Sequence, residues 1–332
     1  MKSAHSPLFP TPRASRSGPG HAGFPAAVPS RLGFALTLTL ALTLLGTFGL
    51  HAAAAPEDRL LRSPSGKLIA HITTADNGSL SWSLESGGHV VISPSPLGPV
   101  VNTVHLGRNA RAGEPTVSET DETYPWRGGK RTATHRSRTY RLAVQSSDVP
   151  SPWTLEARVF DDGFAFRYRV PGSGPRQVQG DDAAWTLPAE TEAWFQTNTG
   201  DYEGAYHHAK LEAIPTTTKS ERGEQPVTLG PPVTAILPGV GYVLITEGNL
   251  REYSGMTLRP TGTSRLVATF EDDPAGFTLE NEILSPWRVT VVAPDLNALV
   301  NSDVLPNLCE PPDPKLFPEG PHTAWIQPGR AL

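Results

Sequence analysis

Val159-Phe160-Asp161-Asp162-Gly163-Phe164-Ala165-Phe166-Arg167-Tyr168-Arg169-Val170 is the stretch whose reading decides the fold. After the turn, Phe164, Phe166, Tyr168 and Val170 alternate with Ala165, Arg167 and Arg169. Before it, Trp153, Leu155, Ala157 and Val159 alternate with Thr154, Glu156 and Arg158. A period of two is the mark of a strand with one buried and one wet face. Asp161-Asp162-Gly163 between the runs reads as a tight hairpin, because Gly accepts positive φ and Asp tolerates it. So many aromatics on one face require a second layer to cover them.

The same alternation recurs outward from that hairpin. Residues 67–73 alternate, Asp76-Asn77-Gly78 turns the chain, and Leu80, Trp82 and Leu84 alternate with serines. Gly87-Gly88 then turns into residues 89–93, so the chain past residue 64 opens as a meander. Tyr140, Leu142 and Val144 lead into the central hairpin, and strands are expected at 233–237, 242–247, 266–271 and 287–292. Residues 103–135 and 171–184 read as polar loops. Asp295 is placed to cap one short helix in which Leu296, Leu299 and Val300 share a face. The expected architecture is all-β: a large β-super-sandwich with one or two short helices. The 34 Pro and 31 Gly fit many short strands better than long helices.

Three segments follow from composition. Residues 1–55 hold Lys2, Arg13, Arg16 and Arg31 but no acid, and 32–50 are apolar with interspersed Thr. With the small residues 52–55 before Pro56, this reads as a secretory signal with a long n-region, or as a membrane anchor if uncleaved. Either way the rest is expected to be secreted or periplasmic. Residues 56–310 carry the sandwich. Residues 311–332, with Pro311, Pro312, Pro314, Pro318 and Pro321, read as a strap across a surface. The formal charge is -5, and without the basic leader the remainder is more acidic still. That excludes nucleic acid as a partner, because phosphate binding needs clustered Lys and Arg. It suits a neutral sugar or a cation. Cys309 is the only cysteine, so no internal disulfide forms, and no His stands near it in sequence.

No zinc motif, phosphate loop, dinucleotide fingerprint or nucleophile elbow is present. His207-His208 is the only His pair; it reads as loop histidines, and on a strand the two rings would point to opposite faces. The segment 194–206 combines Trp194, Tyr202 and Tyr206 with Asp201 and Glu203. Aromatic faces stack on sugar rings and carboxylates bind hydroxyls or hard cations, although a polar turn with core aromatics has the same composition.

Seven pieces, in order, resemble the N-terminal domain of glycoside hydrolase family 97, the bacterial α-glucosidases and α-galactosidases. They are Ser63-Pro64-Ser65-Gly66-Lys67, Ser95-Pro96-Leu97-Gly98, residues 160–168, Tyr202-Glu203-Gly204-Ala205-Tyr206, residues 246–256, Ser285-Pro286-Trp287-Arg288-Val289 and residues 325–331. The resemblance implies a sandwich like that of galactose mutarotases, followed in the family by a catalytic (β/α)8 barrel. It implies a calcium-dependent sugar site to which the sandwich donates one glutamate, and Glu203 matches that position. Calcium takes six to eight oxygens, so one carboxylate is no site by itself. Trp194, Tyr202 and Tyr206 are the expected substrate contacts, and an α-linked oligosaccharide or polysaccharide the expected ligand. The general acid and base belong to the barrel, normally in cis. The pairs Glu190/Glu192 and Glu280/Glu282 read as surface acids rather than as the two facing carboxyls hydrolysis needs. The alternatives are a stand-alone carbohydrate-binding module, or a mutarotase-like isomerase using His207-His208 and Glu203.

Overall fold

The computed structural model describes residues 57–126, 129–197, 199–200, 203–220 and 223–310. The expected leader (1–55) and strap (311–332) lie outside the described residues. A seven-stranded and an eleven-stranded antiparallel sheet form the two layers, accompanied by a four-stranded sheet and a two-stranded ribbon. The all-β sandwich is therefore what the chain builds, and it opens with the expected meander: Glu57–Arg62, Leu68–Thr74, Leu80–Ser86 and His89–Pro96 are consecutive neighbours. Gly78 takes φ +72° in the turn between the second and third of these, while the Asn77 side chain accepts from Ser79 N.

Trp153–Phe160 and Gly163–Val170 form the central hairpin, with Val159 opposite Phe164 and Ala157 opposite Phe166. Phe164 and Phe166 meet Trp82 of the other sheet at ring centroid distances of 5.4 and 5.3 Å, and Trp185 closes on Trp82 edge-on at 6.1 Å. Each such ring buries roughly 150–250 Å2, worth about 4–6 kcal/mol at ~25 cal/mol per Å2. Their polar atoms are satisfied: Trp82 Nε1 donates to Ala184 O, Trp153 Nε1 to Leu106 O and Trp185 Nε1 to Thr290 Oγ1.

Two expectations about the hairpin change. Gly163 is not among the residues with positive φ. It is glycine because a Cβ there would stand 2.7 Å from Val304 Cγ2 and 3.2 Å from Thr290 O. The second face is also not simply wet. Phe160, Ala165, Trp287, Val289 and Val291 form a separate apolar cluster with Val304 and Leu308 from the helix Val304–Leu308. The expected helix is present as Leu296–Val300, and Asp295 caps it by accepting from Ala298 N. Its apolar residues divide: Leu299 packs on the second cluster, whereas Leu296 and Val300 are exposed.

The two polar stretches contain strands. Thr116–Pro125 pairs along ten positions with Thr132–Ser146. Almost all its side chains are exposed, so no apolar alternation marks it; charge pairing across the ribbon takes that place. Glu119 faces Arg138, Asp121 faces Arg136 and Glu122 faces His135. The ribbon is tied to the C-terminal helices by Asn307, whose Oδ1 accepts from Tyr124 Oη and whose Nδ2 donates to Thr134 O, each at 2.7 Å. Residues 171–184 likewise hold Pro175–Asp181, a member of the four-stranded sheet. Trp287–Ala293, the last strand described, lies between Gly241–Gly248 and Gly163–Val170 in the middle of the eleven-stranded sheet.

Candidate functional site

Of the predicted site residues, Trp194, Glu203 and Tyr206 fall on one strand–loop–strand unit at an edge of the eleven-stranded sheet. Glu192–Gln196 pairs with Gly230–Leu237 on one side and with His207–Lys210 on the other. His207–Lys210 ends the sheet, so the unit is open on that flank. Alternation along Glu192–Gln196 sends Ala193 and Phe195 into the core and leaves Trp194 45% exposed. Trp194 lies opposite His208, and the two rings stack at 4.7 Å and 19°. His207 and His208 are thus strand residues, not loop residues. His207 stands against Phe195, at 5.8 Å, and His208 Nε2 lies 3.2 Å from Glu192 Oε2. The two rings therefore serve different neighbours and do not converge.

At the end of the strand, Gln196 is buried, and its Oε1 has no hydrogen-bond partner among the described residues. Tyr206 is 50% exposed where the chain returns, and Glu203 is exposed in the loop between. Tyr202 and Asp201 lie outside the described residues. Lys210 pairs with Glu190 and, by that hydrogen bond and charge, holds its carboxyl below the usual range. Glu282 is paired with Arg169. Two of the four acids in the i,i+2 pairs, Glu190 and Glu282, thus pair with cations.

The unit offers exposed aromatic surface together with an exposed carboxylate, Glu203, between its two strands. That suits stacking on a pyranose and lending one oxygen ligand to a hard cation. Among the described residues no group of three or more His, Cys, Asp and Glu is placed to hold a metal ion. Glu203 therefore fits calcium only as one contributor to a shell completed by other groups.

Sequence reading missed why the family-like segments belong together. Arg288, fully buried, donates through Nε to Asp181 Oδ2 at 2.8 Å and through Nη1 to Glu247 Oε2 at 3.0 Å. Asp181 Oδ1 accepts from Tyr168 Oη and Ala183 N, while Tyr168 Oη accepts from Gly98 N. Glu247 Oε1 accepts from Met256 N, and Ser285 Oγ accepts from Tyr168 N. Burial alone would lower the Arg288 pKa, but the two carboxylates outweigh it and hold the guanidinium firmly charged. Gly98, Tyr168, Glu247, Met256, Ser285 and Arg288 come from four of the segments quoted above. Their spacing in sequence gives no sign that they meet.

The profile of the family described as "Glycosyl-hydrolase 97 N-terminal" matches residues 61–311. The chain is 29% identical over 315 residues to a probable retaining α-galactosidase of Streptomyces bingchenggensis, covering 91% of this chain and 45% of that protein. It is 26% identical over 236 residues to a retaining α-galactosidase of Bacteroides thetaiotaomicron, covering 68% and 34%. The chain thus spans less than half the length of these curated relatives. Among solved structures, a glycoside hydrolase family 97 enzyme in complex with acarbose, from Pseudoalteromonas sp. strain K8, superposes with a TM-score of 0.67 at 21% identity. That match covers 76% of this chain and 38% of the other. A β-arabinopyranosidase gives a TM-score of 0.67 at 19% identity, covering 77% and 43%. The sandwich, with its buried Arg288 network assembled from the family-like segments, belongs to glycoside hydrolase family 97, as the family's N-terminal domain.

Proposed function

We propose that this sandwich walls the sugar site of a secreted family 97 α-glycosidase and is not catalytic alone. In this reading Trp194, Tyr206 and Tyr202 border the α-linked sugar. Glu203 contributes one ligand to a calcium ion, which would neutralise charge at the sugar site when bound. The remaining ligands, the general acid and the base or nucleophile come from a (β/α)8 barrel, normally in cis. The leader at residues 1–55 directs export, with the sandwich on the far side of the membrane. The observation that carries the proposal is the pairing of family membership over residues 61–311 with an open sheet edge where Trp194 is exposed and where Glu203 and Tyr206 are exposed on the chain leading into the last strand.

The test is a purified 332-residue chain assayed with aryl α-galactosides and α-glucosides, with and without calcium. No turnover is expected, and calcium binding by calorimetry should be weaker than the millimolar range, as one carboxylate dictates. Melibiose should quench Trp194 fluorescence, and Trp194→Ala should remove the effect. Turnover abolished by substituting a carboxylate within residues 57–310 would overturn the proposal.

A further inference from the structure

A cleft of about 590 Å3 opens on the face of the eleven-stranded sheet turned away from the seven-stranded one. Its volume lies within the roughly 300–1,000 Å3 of small-molecule sites. Two strands, Gly230–Leu237 and Gly241–Gly248, separate its floor from the Trp194 edge, so it does not rest on the reading above. The floor is Trp287 with two guanidinium groups laid over it: Arg167 Cζ is 4.3 Å and Arg158 Cζ 5.1 Å from the ring centroid. One wall is the Thr116–Pro125 ribbon and the residue after it, bringing Tyr124 and Trp126, which meet edge-on at 6.4 Å. The other wall is the C-terminal helix from Pro306 to Leu308 and the residues after it.

The floor carries an excess of positive charge. Glu156 is buried and accepts from Arg167 Nε at 2.8 Å and Arg141 Nη2 at 3.0 Å. Arg158 donates instead to the Asn307 carbonyl through Nη1 and to Thr139 Oγ1 through Nε. Arg141 and Arg167 therefore share one buried carboxylate, and Arg158 adds a third guanidinium without a hydrogen bond to it. Burial and the neighbouring Arg167 and Arg141 charges lower the Arg158 pKa against the pull of Glu156. Of the acids at the rim, Glu310 pairs with Arg251 at 2.7 Å, and Glu122 lies 3.5 Å from His135, whose pKa burial lowers. Arg158 Nη2 and both Nη groups of Arg167 make no hydrogen bond to other described residues. Trp287 is covered by the arginines and serves as their support, whereas Trp126 and Tyr124 are only half-buried.

We propose that this cleft binds a uronate, a pyranose carrying a carboxylate, as a unit of an acidic glycan. The carboxylate meets the Nη donors of Arg158 and Arg167, where planar guanidinium forks match its geometry. The ring lies against Trp126 and Tyr124, whose faces suit the C–H side of a sugar. A neutral hexose gains only the second contact.

Isothermal titration of the full chain with trigalacturonate and with glucuronate tests this, with galactose, glucose and sodium acetate as comparisons. The uronates are expected to bind at least tenfold more tightly than the neutral sugars and than acetate, and to weaken as sodium chloride rises. Trp126→Ala should cost at least tenfold in affinity with the melting temperature unchanged; Arg158→Gln should do the same. If Arg158→Gln fails to fold, Trp126→Ala and the salt dependence decide. Equal affinity for galactose, affinity for acetate matching the uronates, or no heat from a chain that melts cooperatively would each overturn the proposal.

Discussion

Arg288→Leu would leave Asp181 and Glu247 without their shared partner in the sandwich interior, where water cannot replace it. Removing one member of a buried ion cluster typically costs about 3–5 kcal/mol, so the variant should unfold at markedly lower urea than the parent. Glu156 governs a second effect. Burial would raise its pKa, but Arg167, then Arg141 and Arg158, outweigh that and hold it below the ordinary carboxylate value. A carboxyl depressed on folding stabilises the fold at pH above its unfolded value of 4.5, and that contribution is lost as pH falls through the folded value. Stability should therefore decline on acidification below about pH 4.5, and Glu156→Gln should flatten that limb of a pH–melting profile. Both residues sit inside stretches that the sequence marks clearly as strands. Alternation puts Glu156 on the face opposite the aromatics but does not tell that Arg141 and Arg167 wait there on the two flanking strands, and Asp181 stands 107 positions from Arg288 in the chain.

At the scale of elements, the central hairpin was legible because its aromatics alternate without interruption, and the meander because Asn77-Gly78 and Gly87-Gly88 punctuate it. The strand Thr116–Pro125 was not, since a ribbon exposed on both faces has no apolar period to show; its only trace is acids at 119, 121 and 122 complementing the basic residues at 135, 136 and 138. The Asn307 tie to that ribbon predicts a measurable local effect. Asn307→Ala should speed amide exchange along the ribbon and cost about 1–3 kcal/mol, because Tyr124 Oη and Thr134 O lose their partner. Where the hairpin meets the helix Val304–Leu308, Gly163→Ala should cost about 1–3 kcal/mol by overpacking. Val304→Ala in the same chain should relieve part of that loss, read as a non-additive double-mutant cycle in thermal melts. The second face of the hairpin escaped sequence reading for a related reason. Arg158 and Arg167 are polar by type, yet both guanidiniums stand over the Trp287 ring.

At the scale of the molecule, the class of fold could be read from alternation and turn residues alone, but the candidate site could be read only in outline. Trp194 and Tyr206 stand exposed in the segment the sequence singled out, while the Trp287 cleft is assembled from residues nearly two hundred positions apart. The placement of Trp287–Ala293 between Gly241–Gly248 and Gly163–Val170 has a temporal side. Everything on either flank of that strand is synthesised before it, and each flank waits with a bare backbone edge until it arrives. The nascent chain therefore commits late, with slow non-local pairing, and stays vulnerable to mispairing and proteases through most of its synthesis. Ribosome-tethered chains halted just before residue 287 should be cleaved rapidly by a protease pulse, and chains halted well past residue 310 should resist it.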